Sequence, residues 1–234
     1  IGTNGTGVQN LGNNVHGIVL RDGASDNVIG GIEGGNIIGF SALDGAFIQG
    51  AGTTGNVLLG NLIGTNAGGQ NLGNGRFGVV VTSGASDNSI GGFAFGEGNT
   101  IGFNVSDGVL FQSAGTTGNT LQGNFIGTNS SGEALGNARH GVQVTAGASG
   151  NGVGGAVPGA GNIIRYNLET GIIVSDPATT DTAILTNAIS NNQALGIDLS
   201  MDAAVGDGVT ANDGCGDADA GPNGFQNFPA LNSA

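Results

Sequence analysis

Apolar residues in this chain come in short bursts separated by glycine and asparagine, and the bursts recur. One segment opens on Gly17, Gly45, Gly78, Gly108, Gly141, Gly171 and Gly196 and runs on as Ile-Val-Leu, Ala-Phe-Ile, Val-Val-Val, Val-Leu-Phe, Val-Gln-Val, Ile-Ile-Val and Ile-Asp-Leu. A second burst comes 10 or 11 residues later, opening at Asn27, Asn56, Asn88, Asn119, Asn151 and Thr182. A third opens at Asn36, Asn61, Asn99, Asn124, Asn162 and Asn187 and reads Asn-x-Ile each time. Short β-branched bursts bracketed by Gly and Asn predict strands. No window carries a helical apolar period, and a glycine every four or five residues would break a helix. We call the three segments A, B and C.

The order A-B-C repeats about seven times, and alternate turns pair into a longer repeat. Ile-Gly-Thr-Asn stands at Ile1, Ile63 and Ile126, in steps of 62 and 63. Gly-Thr-Thr-Gly-Asn stands at Gly52 and Gly115. Length differences are confined to the B-to-C and C-to-A corners, as a repeat scaffold permits. Stacked turn on turn at about 4.8 Å, like residues superpose. The third residue of C forms one column: Ile38, Ile63, Ile101, Ile126, Ile164 and Ile189. Segment A supplies two more, one through Ile18, Val79 and Ile172 and one through Leu20, Val81 and Val174. The column between them, Val19 to Asp198, is expected to face outward. Inward columns of this kind make a dry interior that no single turn could build. The prediction is a parallel β-helix of about seven coils with three short strands per coil, roughly 34 Å long. It spans residues 1–200, followed by an irregular acidic cap over 201–234. Asn4, Ser41, Asn66, Asn104, Asn129, Asn167 and Asn192 close segment C and are expected to turn corners and bond along the axis as amide ladders.

These motifs resemble the right-handed parallel β-helix repeats of the pectin-lyase-like class, most of all large secreted bacterial proteins that repeat Asn-x-Ile-Gly-Gly, Gly-Asn-x-Ile-Gly-Thr-Asn and Gly-Val-x-Val. The resemblance covers residues 1 to about 200, and Gly216 to Pro229 resembles the segment that succeeds such repeats. It implies the right hand, in line with the crossover rule. It specifies function weakly, because this fold hosts lyases, hydrolases, adhesins and inert stalks.

Composition narrows the partners. Glycine is 51 of 234 residues, which the corners account for without disorder. Four Lys plus Arg against 17 Asp plus Glu give a net charge of −13, and there is no lysine. That argues against nucleic acid and anionic membranes. No apolar run approaches the 18 or so residues of a membrane helix, so no membrane insertion is expected. Cys215 is the only cysteine, so no internal disulfide forms.

Candidate chemistry is sparse. The galacturonase-type motifs, Asn-Thr-Asp, Asp-Asp, Gly-His-Gly and Arg-Ile-Lys, are absent, and the helix carries no clustered acidic pair. No catalytic residue is assigned and no cofactor is required. The long C-to-A loops bring His16, Arg76, Arg139 and His140 to one side, as a shallow groove for a sugar chain or anionic group would need. Their alternative role is pairing with loop acids such as Glu133. Asp207, Asp213, Asp217 and Asp219 alternate with glycine as a calcium-wrapping loop would, or simply form a solvated cap. The column Phe40, Phe103 and Tyr166 serves either sugar stacking or corner packing. Residue 1 lies within segment C, so the chain is expected to be a piece of a longer protein or to stack end to end on copies of itself. Two functions are compatible with these features: a non-catalytic extracellular structural or adhesive module (stalk, surface layer or filament component), or a polysaccharide-binding or pectate-lyase-like polysaccharide-cleaving protein.

Overall fold

The three bursts fold as strands in every turn. The computed structural model describes residues 1–201 and 221–225. Segment A forms a seven-stranded sheet, from Ile18–Arg21 through Val79–Thr82 to Ile197–Ser200. Segments B and C each form six-stranded sheets, ending at Ala183–Leu185 and Ala188–Ser190. All pairing between these strands is parallel, and the register is the one that superposes like residues: Ile38 lies on Ile63, Ile63 on Ile101, Ile101 on Ile126, Ile126 on Ile164 and Ile164 on Ile189. The molecule is a right-handed parallel β-helix of about seven coils. The isoleucine column is fully buried from Ile38 to Ile164 and packs against Ile48, Leu58, Val81, Phe111 and their stacked equivalents. Strand alternation aims these side chains inward, so the core is one continuous rod. Asp207, Asp213, Asp217 and Asp219 lie outside the described residues.

Amide ladders run along three corners. In the first, Asn27, Asn56, Asn88, Asn119 and Asn151 succeed one another, each amide N–H and Nδ2 bonding the next Oδ1 at 2.8–3.1 Å. The second runs through Asn36, Asn61, Asn99, Asn124, Asn162 and Asn187. The third differs from expectation. It passes through Asn74, Asn104, Asn137, Asn167 and Asn192, not through Asn66 and Asn129. In the coils with long C-to-A loops, the chain leaves the helix at Asn66 or Asn129 and rejoins the ladder eight residues later. Asn66 and Asn129 instead accept loop amides, Gly68 and Gln70 in one loop, Ser131 and Glu133 in the other. Antiparallel bridges Thr65–Asn71 and Thr128–Ala134 make each loop a small flap. Phe40, Phe103 and Tyr166 are half-buried at the neighbouring corner, with φ of 57–63°.

The middle column of the A sheet is a second departure. Val19 is 43% exposed, but Val80, Leu110, Gln143 and Ile173 are at most 5% exposed. Walls rise on either side of the sheet at this level and turn its outer face into the floor of a groove.

Candidate functional site

The groove is built from the residues that flank the A strands. Its volume is about 750 Å³. Arg76, Phe77 and Arg139, at the ends of the long C-to-A loops, make one wall. Gln112, Thr145, Ala146, Asp176 and Pro177 make the other, with Leu110 and Gln143 as the floor and Met201 at one end. Each coil rises about 4.8 Å, so the two arginines stand roughly 10 Å apart along the axis.

The residues just before the first five opening glycines form one column along the axis: His16, Asp44, Phe77, Asp107 and His140. Asp44 and Asp107 are fully buried, and each accepts the backbone N–H of the next coil through Oδ1, from Phe77 at 3.2 Å and from His140 at 3.0 Å. His140 continues the relay: its Nδ1 accepts the Thr170 N–H at 3.2 Å. That bond assigns the proton to Nε2, which faces Glu169 Oε2 at 3.0 Å. Arg139 lies over this group, with Nε 3.4 Å from Glu169 and Nη1 4.0 Å from Asp107. Arg76 sits over the Phe77 ring, its Cζ 5.0 Å from the centroid and its Nε 3.7 Å from Asp44. His16 stacks on Phe47 at 4.5 Å, with Nδ1 3.0 Å from Asp44 Oδ2.

The four predicted binding residues are therefore not one constellation. Arg76 and Arg139 share the groove. His140, 1% exposed, is buried beneath it. His16, four coils and roughly 19 Å from His140, lines a separate hollow with Arg21 and Phe47. Glu133 pairs with neither arginine and accepts from Asn129 Nδ2 at 2.6 Å. Among the described residues, acids that face these arginines include Asp44, Asp107 and Glu169, which are scattered along the sequence rather than clustered. A signal existed: Asp44 and Asp107 stand 63 residues apart, each immediately before an opening glycine.

Burial pushes the Asp107 carboxyl up to about 6, against the opposing pull of Arg139 and the His140 N–H. Burial, aided by the Arg139 charge, pushes the His140 imidazole down to about 4. The two act oppositely on stability. Between pH 6.5 and 4 the unfolded chain protonates His140 and the fold does not, so stability falls as pH falls. Between pH 6 and 4 the fold protonates Asp107 and the unfolded chain does not, so stability rises as pH falls. Each contribution is on the order of 3 kcal/mol before relaxation. Asp107→Asn keeps the acceptor for the His140 N–H and removes only the titrating carboxyl. The unfolding free energy from urea titrations between pH 7 and 4 is expected to drop more steeply in Asp107→Asn than in the parent chain, by about 2–3 kcal/mol over that range. Parallel profiles would show that Asp107 does not offset His140.

No protein-family model matches this chain, and no curated protein matches it. Among solved structures the fold is similar to a mutant of the periplasmic alginate epimerase AlgG, with a TM-score of 0.58 over 82% of this chain. Identity is 17%, and the match spans 37% of that protein. A likeness at this level is one of fold.

Proposed function

We propose that this chain is a polysaccharide-binding β-helix module that works outside the cytoplasm in adhesion or surface structure, holding a glycan along the outer face of the A sheet. The observation that carries this reading is the groove, with two arginines on one wall and amides and hydroxyls from Gln112, Gln143 and Thr145 around them. Such a lining offers fixed donors to hydroxyl and carboxylate oxygens. The net charge of −13 gives no long-range attraction for an acidic glycan, so the two groove arginines, half of the chain's four, would act on its carboxylates at contact range.

Binding is favoured over hydrolysis by where the ionisable groups sit. Asp44, Asp107 and His140 are buried behind the arginine wall, at most 1% exposed, and Asp44 Oδ1, Asp107 Oδ1 and His140 Nδ1 each hold a backbone amide. Among the described residues lining the groove, Asp176 is the only carboxylate. Glycoside hydrolysis by the usual route needs two carboxyl groups flanking the bond. No membrane-spanning helix is found among the described residues.

The test is calorimetric titration with acidic and neutral polysaccharides, with and without calcium, alongside a product assay. Arg139→Ala is expected to weaken binding by about 10- to 100-fold, the loss of one charged hydrogen-bonding group. Arg76→Ala should weaken it less, since Arg76 also spends its face on Phe77. Unchanged affinity in the double variant would remove the groove from the account. Release of cleaved or modified sugar by the parent chain would replace binding with catalysis.

A further inference from the structure

The corner that ends the first amide ladder is finished by a residue far away in sequence. In every earlier coil the ladder asparagine satisfies two groups of the coil before it. Its Oδ1 accepts the amide N–H of the preceding ladder residue, and its Nδ2 donates to the carbonyl three residues ahead of that one. Asn88 does this for Asn56 and Thr53, and Asn119 for Asn88 and Ala85. Asn151 does the same for Asn119 and Thr116. The position after Asn151 in the B sheet is Thr182, which does not continue the ladder because its Oγ1 makes no hydrogen bond. The groups of its coil equivalent to those above are the Thr182 N–H and the Thr179 carbonyl. Asn223 takes both. Its Oδ1 accepts the Thr182 N–H at 2.8 Å, and its own backbone N–H donates to the Thr179 carbonyl at 2.8 Å. Its Nδ2 also donates to the Thr182 carbonyl at 3.2 Å, the acceptor that the first strand residue of a further coil would use, as Ala183 uses Asn151.

We infer that Asn223 is a built-in stop for the solenoid: it occupies the ladder position of the next coil and closes this end against stacking. The backbone around it suits the task. Asn223 sits at φ 51°, ψ 28° and Gly224 at φ 66°, left-handed angles that Asn and Gly adopt most readily. Pro222 is buried, and Pro222–Phe225 contacts the strands Ile172–Ser175 and Ile197–Ser200. Without Asn223, the Thr182 N–H and the Thr179 and Thr182 carbonyls would lose these partners beside Ala183–Leu185, the last strand of its sheet among the described residues, where Leu185 is 47% exposed. An uncovered strand edge of this kind is a template for another chain, so a further coil from a second copy must displace Asn223 to add here.

The experiment compares the parent chain with Asn223→Ala and Asn223→Asp, using hydrogen exchange and sedimentation velocity. Exchange of the Thr182 amide should rise at least 10-fold in Asn223→Ala and less in Asn223→Asp, which keeps an acceptor oxygen. The Ala183 amide, bonded to Asn151, should hold its rate in all three and so reports an intact coil. Asn223→Ala should also self-associate at concentrations where the parent chain does not. Unchanged Thr182 exchange in a folded variant would remove the contact and with it the proposal. Faster exchange without added association, or equal association in the parent chain, would leave Asn223 as a corner bond and overturn its role as a stop.

Discussion

Replacing Asn124 by leucine is expected to cost about 3–5 kcal/mol of unfolding free energy, although the two side chains have the same number of heavy atoms and the same branching. Asn124 is 1% exposed in the middle of the second ladder. Its Oδ1 accepts both the backbone N–H and Nδ2 of Asn99 at 2.9 Å, and its Nδ2 donates to the carbonyls of Ile90 and Gln122 and to Asn162 Oδ1. Leucine leaves at least two of these partners buried without a bond, at about 1–3 kcal/mol each. Hydrophobic burial cannot repay that, because the stem of Asn124 is already out of water. The matched control is Asn129→Leu. Asn129 closes an Ile-Gly-Thr-Asn motif but lies in a loop, where its loss should cost about 1 kcal/mol. Urea unfolding of both variants checks the contrast. Equal losses would mean that the ladder contributes no more than an ordinary turn.

Gly91→Ala is expected to destabilise by a similar amount, about 2–5 kcal/mol, from one methyl group. Gly91 has φ +79°, which costs an L-residue about 1–2 kcal/mol. A Cβ there would fall 2.1 Å from the Gln122 carbonyl oxygen and 2.5 Å from Asn124 Oδ1. Backbone on the next coil cannot withdraw without breaking the parallel register, so overpacking adds about 1–3 kcal/mol. Gly23→Ala separates the two effects. Gly23 has φ +82° but open space for 4 Å around the position a Cβ would take, so only the dihedral cost of about 1–2 kcal/mol applies. Thermal or urea midpoints that fell equally in both variants would show that the close approach of coils is not what fixes glycine at position 91.

Much of the architecture was legible because stacking imposes one rule on every coil. Ile63 and Ile101 are 38 residues apart yet superpose, since each is the third residue of an Asn-x-Ile strand and strands stack residue on residue. The ladder asparagines that open segments B and C were visible for the same reason. The third ladder was not legible at Asn66 and Asn129. Local sequence repeats Gly-Thr-Asn there, but whether the chain turns inward or leaves as a flap depends on the length and bonding of the loop beyond it. The floor of the groove was hidden too. Val80 and Leu110 look like the outward face of a strand, and only the walls across several coils make them buried.

The amino-acid sequence by itself determined the coil, its register and its isoleucine spine, because those arise from spacing that each turn repeats. Tertiary structure decided the pairing of Arg139 with Asp107 and Glu169, the seclusion of His140 and the return of Asn223 to Thr182. These contacts form at corners of variable length or between segments 41 residues apart, where no local period relates one partner to the other and only the path of the folded chain brings them within bonding distance.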